Sequence, residues 1–451
     1  MEEIKTVPMI ETIKGIFQFV KNPIPIINGA IEDYGETYIT RIVGGRRLIM
    51  SKNLDFIQHV LQTNNHNYVK SEIQTDTMAK YVGNGLLTAN GDYWLRQRRL
   101  IQPSFYKSKL QHLVDIMSEE INSYCTDLTT RSTSQESLNI SEEMMELTLR
   151  IVSKSLFSTG IDRDQISDLG ESFTALQQDI INEIRRPYLN WWTKMSGKMA
   201  HSHRLAQETR QIMKDIIQER KQTGAGKHDD LLDNLLLARY EDTGDGMTEE
   251  QILDEAIILF VAGHETTAIS LAYTLNLLAE HPGILERCIN EAKSLTSGPW
   301  TFEAAMKSDY LMQTLEESMR LFPPAWILDR SAIEDEMVMN IPVRANDFIG
   351  LYVYGVHHDP RYYDDPDRFD PDRMHPDQKK RLPKYAFFPF GGGPRMCIGY
   401  HFAMMEMKMV LATLLSQFQF EKKGDQIDFR PLITLRPKDD IIMDVHRYEP
   451  A

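Results

Sequence analysis

The sequence of 451 residues predicts a mainly α-helical fold with a smaller β region. A helical pattern runs from Thr248 to His281, apolar nearly all round between Ala256 and Ala279, and marks a helix that crosses the interior. Two further apolar seams recur at three- to four-residue steps: Leu110, Leu113, Met117, Ile121, and Leu147, Leu149, Ile151, Val152, Leu156. Against these stand only short strand patterns. Residues 36–43 alternate and are β-branched, and Gly44-Gly45 turns them into Arg47-Leu48-Ile49-Met50 as a hairpin. Residues 325–330 and 429–437 read as further strand-like stretches.

Taken in order, the first sixty residues mix a short helix with that hairpin. Asp92 begins a helix carrying Trp94 and Arg98 on one face, four residues apart. The long helical stretches of 110–240 follow, interrupted by the polar loop 221–230. Thr248-Glu249-Glu250-Gln251 is a capping box that opens the long central helix. At about 33 residues it is about 50 Å long, and Pro282-Gly283 stops it. His264 and Glu265 at its centre argue against a membrane span, where charge is costly. A second helix from Tyr310 ends at Pro323-Pro324. No repeat or low-complexity tract is visible, and residues 1–451 are expected to form a single domain.

Composition is that of an ordinary globular protein: 42% hydrophobic and 25% charged. The net charge of -15 argues against bulk nucleic-acid or anionic-membrane binding. Three cysteines, Cys125, Cys288 and Cys397, make no disulfide framework and have no metal-type spacing. The N-terminus lacks the apolar run of a signal peptide or an anchor.

The most informative stretch is Phe390-Gly391-Gly392-Gly393-Pro394-Arg395-Met396-Cys397-Ile398-Gly399. Its glycines and proline exclude regular structure, and a helical pattern follows Gly399. Cys397 therefore sits at the mouth of a helix, where free N–H groups and the dipole favour a thiolate, with Arg395 as a nearby cation. A thiolate on a rigid loop is a strong axial ligand for haem iron. The central helix contains Ala262-Gly263-His264-Glu265-Thr266-Thr267, an acid followed by an alcohol with a small residue before them. Glu317 and Arg320 lie three apart on one helical face.

These motifs, in this order, resemble the cytochromes P450, and the likeness covers roughly residues 35 to 445. The resemblance implies haem b held by Cys397 as the iron ligand, with Phe390 in the ligand loop. It implies Trp94, Arg98, Arg395, Arg330 and Lys70 on the haem propionates. Glu265 and Thr266 are the expected oxygen-activating pair, Thr266 positioning the oxygen and Glu265 linking the site to solvent protons. Glu317 and Arg320 are expected to join Arg368 in a structural brace. Ala262, Trp326, Ile327 and Ile433 are expected to line the substrate pocket, the stretch 72–90 to form a substrate-lining loop, and Trp191 and Trp192 to lie in a lid. The expected reaction inserts one atom of O2 into a C–H bond, or O-demethylates a methoxylated substrate such as a methylated sugar or phenol. Gln177, Gln178, Arg185, Arg186 and Trp326 hint at a polar substrate. Electrons are expected from NAD(P)H through a separate ferredoxin or flavodoxin and its reductase. A basic face of Arg96, Arg99, Lys107, Lys109 and Lys408 is the expected docking site. The expected setting is a soluble, bacterial-type monomer in the cytoplasm, without a membrane anchor or nucleic-acid partner. The alternatives are a peroxygenase or thiolate-haem isomerase and a non-enzymatic haem gas sensor. None of these needs the acid–alcohol pair.

Overall fold

A computed structural model describes residues 4–41, 45–132, 137–158, 163–185, 195–228, 230–307, 309–424 and 427–448. The expected lid residues Arg186, Trp191 and Trp192 lie outside them, as does the side chain of Arg185.

The chain opens with helices α1 (Met9–Lys21) and α2 (Pro23–Tyr34) and the hairpin β1 (Thr37–Arg41) and β2 (Arg47–Ser51). The hairpin pairs as its alternation requires, Ile39 opposite Ile49. A short strand β3 (Tyr68–Val69) precedes helix α3 (Gly91–Ile101). The helical body follows: α4 (Lys107–Ser132), α5 (Ile140–Phe157), α6 (Arg163–Arg185), α7 (Lys198–Thr223), α8 (Glu249–Glu280), α9 (Pro282–Leu295) and α10 (Tyr310–Leu321). Strands β4 (Leu328–Ala332) and β5 (Phe348–Leu351) come next, then α11 (Tyr400–Gln417). The chain closes with β6 (Phe418–Lys422), the hairpin β7 (Phe429–Pro431) and β8 (Leu435–Pro437), and β9 (Ile442–Arg447).

The larger sheet has the order β1-β2-β5-β4-β3. Parallel pairing of β2 with β5 places Ile49 against Ile349, both fully buried. The seams on α4 and α5 are buried and form one core with α8 and α11. Helix α8 starts where the capping box places it. The Gln251 N–H donates to Thr248 Oγ1 at 3.2 Å, and the Thr248 N–H donates to Gln251 Oε1 at 2.8 Å. It is long and apolar enough to cross a membrane, but most of that stretch is buried among the other helices.

Gly263 serves this packing. A Cβ there would lie 2.8 Å from Val152 Cγ2 of α5, so the missing side chain lets two helices close on each other. The brace differs from expectation in one member. Arg320, fully buried, donates from Nε and a terminal nitrogen to the two Glu317 oxygens at 2.8 Å, and to the carbonyls of His357 and Pro366. Arg368 supplies only its carbonyl to this centre, and its own guanidinium turns outward to Asp370 at 2.6 Å. The second cation beside Glu317 is Arg373, at 3.7 Å. The turn at Pro371–Met374 brings residue 373, not 368, back over the helix.

Candidate active site

The loop before α11 is locked from below. Gly391 and Gly393 have φ of 72° and 65°, the left-handed region that favours glycine. A Cβ on Gly393 would stand 1.8 Å from the Leu61 carbonyl oxygen, so this turn lies flush on the backbone of 61–62. The Cys397 N–H donates to the Phe390 carbonyl at 3.0 Å, and the Phe390 ring meets Tyr400 edge-on at 4.8 Å. Cys397 is thus held three residues ahead of α11. Cys397 is exposed, yet enough protein surrounds its sulfur for burial to raise the thiol pKa. The Gly399 N–H and the Arg98 guanidinium act the other way and favour the thiolate.

The centre of α8 also carries uncovered residues. Residues 252–258 and 267–278 of that helix are mostly buried, but Ala262 is exposed and Thr266 is half-buried. Thr266 Oγ1 donates to the Ala262 carbonyl at 3.0 Å. His264 is buried with Nδ1 on the Phe260 carbonyl at 2.8 Å and belongs to the core.

Cations gather near one another beside the Cys397 loop. Arg395 stacks on the Trp94 ring at 4.0 Å and donates to the Ala89 carbonyl and Asn90 Oδ1, both at 3.1 Å. Arg330 is buried on β4 and donates to the Asp329 carbonyl at 2.6 Å. Lys70 donates to the Leu87 carbonyl. Burial, then repulsion from Arg330, lowers Arg395 to about 10. Burial and both arginines push Lys70 well below its ordinary value, with Asp329 and Glu255 opposing. Burial likewise lowers Arg330 and Arg98, and Arg98 Nε is buried without a hydrogen-bond partner. Buried cations are costly unless anions meet them. A group bearing two carboxylates would supply those anions, and a metal beside Cys397 would use its sulfur. Haem has both features, and the donors present fit it.

Several expectations do not hold. Trp326 is buried in a core cluster with Tyr352 and Leu435, and its indole N–H donates to the Leu432 carbonyl at 3.0 Å. It anchors the β7–β8 hairpin instead of lining the pocket, and Ile327 packs partly buried against the same cluster. Ile433 does line a cleft of about 1000 Å³ between α5, α6 and that hairpin, with Glu265 and Gln177. Glu265 is not a free relay. Its Oε1 accepts from Thr434 at 2.7 Å and from Arg436 Nε at 2.6 Å, and Gln177 donates to its other oxygen. Lys408 cannot serve a docking face: it is fully buried on Asp309 at 2.5 Å and on the carbonyls of Ala304 and Lys307. Arg96 and Lys107 are already paired with Asp242 and Glu303. Arg373 and Arg436 escaped sequence reasoning because nothing local distinguishes them from other arginines.

A mainly helical fold, an exposed cysteine on a glycine loop at a helix mouth and a cluster of buried cations fit a haem-thiolate protein. The family model for cytochrome P450 matches residues 12–443, and the chain belongs to that family. It is 31% identical over 347 residues to cyclooctat-9-en-7-ol 5-monooxygenase of Streptomyces melanosporofaciens, covering 76% of this chain and 74% of that protein. It is 30% identical over 426 residues to cytokinin hydroxylase of Arabidopsis thaliana, covering 90% and 80%. The crystal structure of the cytochrome P450DA heme domain superposes with a TM-score of 0.88 at 23% identity, covering 100% and 99%, and shows the same fold. The chain is an oxygen-incorporating oxidoreductase of the P450 monooxygenase class.

Proposed function

We propose that the protein hydroxylates a C–H bond of a small organic molecule: substrate R–H, O2, NAD(P)H and a proton give R–OH, water and NAD(P)+. What supports this reading is an exposed Cys397 on its glycine loop, an exposed Ala262 and a half-buried Thr266 at the centre of α8, and a cluster of buried cations that includes Lys70. The bound haem supplies the iron at which oxygen is activated, with the Cys397 thiolate as its electron-rich ligand. Lys70, Arg98, Arg330 and Arg395 would hold its carboxylates, and Trp94 fixes Arg395 by stacking. With haem bound, Thr266 Oγ1 would be the hydroxyl that holds a proton toward the substrate side of α8, and the Glu265 carboxylate would be the group that replenishes it. Glu265 reaches solvent through the cleft it lines once Arg436 releases it.

The two named relatives support C–H oxygenation: one is a 5-monooxygenase and the other a hydroxylase. The grounds for a polar methylated sugar or phenol weaken, because Trp326 faces the core and Gln177 is taken up by Glu265 and Arg436. O-demethylation follows from the same chemistry where the attacked carbon bears an ether oxygen, since the hemiacetal collapses. Electrons come from NAD(P)H through a separate ferredoxin or flavodoxin with its reductase, in the cytoplasm. Arg99, exposed on α3, remains a candidate contact for an acidic partner.

The test is a compound panel read by the Soret shift, followed by product analysis of the compounds that bind. Turnover with NAD(P)H and a surrogate electron chain, and little with hydrogen peroxide alone, is expected. Peroxide-only turnover would replace this reading with a peroxygenase.

A further inference from the structure

Glu265 is the acid of the pair on α8, and what fixes its carboxylate lies on two other elements. Successive residues of a helix point about 100° apart, so Glu265 does not face Thr266. Thr266 Oγ1 turns back to the Ala262 carbonyl. Glu265, 4% exposed, is gripped from the β7–β8 hairpin and from α6. Arg436 donates to its Oε1 from Nε at 2.6 Å, and a terminal nitrogen of the same guanidinium lies 2.5 Å from that oxygen. Thr434 donates to Oε1 as well, at 2.7 Å, and Gln177 donates to the other oxygen. Arg436 also donates to the side-chain oxygen of Gln177. Glu265, Arg436 and Gln177 thus close a ring of three side chains from three elements.

Arg436 is aimed by a pinned hairpin. The Trp326 indole takes the Leu432 carbonyl, and the Leu435 N–H donates to the Pro324 carbonyl at 3.0 Å. Leu435 is fully buried, so strand alternation turns Arg436 to the opposite face, where α8 lies. Arg430, opposite Arg436 in the hairpin register, is exposed. The other charged side chains lining the cleft beside Glu265 are Glu142, Glu146 and Arg150 on α5 and Glu171 on α6. Arg150 is taken up by Glu146 and Asp127. Among the described residues, Arg436 is therefore the cation paired with Glu265. A buried carboxylate that loses its cation is left uncompensated and gives up its geometry.

We propose that Arg436 is a positioning residue for the reaction: with Gln177 it fixes the Glu265 carboxylate at the cleft, next in the chain to Thr266, and so sets the proton supply to the Thr266 hydroxyl. A proton leaving that hydroxyl is replaced from the Glu265 carboxyl, which returns to the carboxylate and is refilled from solvent through the cleft. The inference rests on the proposed role of Glu265 as the replenishing acid.

The experiment reads one set of variants in two ways. In calorimetry of the haem-loaded protein, Arg436→Ala and Glu265→Gln should each lower the melting temperature, and the double variant should fall little further than the worse single one. Additive losses overturn the pairing on which positioning depends. The second reading is hydroxylated product per NAD(P)H oxidised, with a panel compound that is turned over. It should drop several-fold in Arg436→Ala and recover in part in Arg436→Lys, which keeps the cation but loses the fork that spans Glu265 and Gln177. In the Glu265→Gln background, Arg436→Ala should add nothing. Arg430→Ala should match the wild type. No loss in Arg436→Ala, the same loss in both backgrounds, no recovery by lysine, or an equal loss in Arg430→Ala overturns the inference while leaving the role of Glu265 intact. An undiminished yield in Glu265→Gln alone removes that role, and the inference falls with it.

Discussion

Replacing Arg373 and Arg368 separately by alanine distinguishes two versions of the brace. Glu317 is fully buried, and burial raises its pKa while Arg320 and Arg373 draw it down. Arg373 Nε is 3.7 Å from its carboxylate and only 13% exposed. At an effective dielectric constant of about 20, that separation corresponds to about 4 to 5 kcal/mol of gross attraction. Desolvation takes back part of it, leaving about 2 to 4 kcal/mol as the cost of Arg373→Ala. Arg368 is 59% exposed, and its partner Asp370 is at the surface. Removing it should cost under about 1 kcal/mol, because exposed pairs contribute little and its carbonyl contact to Arg320 is kept. Unfolding entropy of about 2.1 cal/mol/K per residue makes 1 kcal/mol worth about 1 °C in a chain of 451 residues. Calorimetry of the haem-loaded protein should show Arg373→Ala lowered by about 2 to 4 °C and Arg368→Ala by about 1 °C or less. Equal shifts, or a larger one for Arg368→Ala, would refute the assignment of Arg373 to the brace.

Other outcomes follow from the same geometry. Thr266→Ala should uncouple oxygen consumption from product, read as hydroxylated product per NAD(P)H oxidised, while the ferric Soret band stays in place. Arg395→Ala removes the cation stacked on Trp94 and should raise the rate of haem transfer to an apo-globin acceptor by about tenfold or more, the scale of a charge-assisted hydrogen bond. Gly393→Ala meets the Leu61 carbonyl and a left-handed φ, so the yield of haem-loaded protein should fall steeply. His358, buried against Tyr354, is held down to about 4 from 6.5, chiefly by burial. Its folded value is depressed, so its contribution is complete above pH 6.5 and is lost as pH falls through 4. That amounts to about 3 kcal/mol at most, and His358→Gln should flatten the acid limb of thermal stability measured between pH 6.5 and 4.5.

The elements were legible where their signal is local. The capping box set the start of α8 and the proline its end, and alternation set the β1–β2 register. The glycine loop placed Cys397 at a helix mouth because its left-handed positions accept little else. What sequence could not give was partner choice across the fold. Arg368 and Arg373 have the same chemistry five residues apart, and only the turn at 371–374 decides which guanidinium reaches Glu317. Trp326 reads equally well as wall or core, and the Leu432 carbonyl waiting at its indole decides for core. Gly263 is a small residue inside a helix, and only the fold shows that Val152, on a helix more than a hundred positions earlier, fills the space beside it. Glu265 gave no sign of Arg436, which comes from the far end of the chain.

The arrangement around Arg395 joins two tasks that the motifs suggested were separate. Arg395 lies two residues from Cys397 and shares its rigid loop, yet its guanidinium stacks on Trp94 and bonds the Ala89 carbonyl and the Asn90 side chain. Asn90 in turn accepts from the Lys70 N–H at 2.9 Å and donates to the Lys70 carbonyl at 3.1 Å. Arg98, one turn beyond Trp94, favours the Cys397 thiolate by its charge. The ligand loop, the start of α3 and the segment 83–90 therefore form one hydrogen-bonded unit, with cations at its centre. A carboxylate engaging Arg395 or Lys70 competes with the Ala89 and Leu87 carbonyls for the same N–H groups. Cofactor retention and the seating of the segment 83–90 are thus coupled through shared donors.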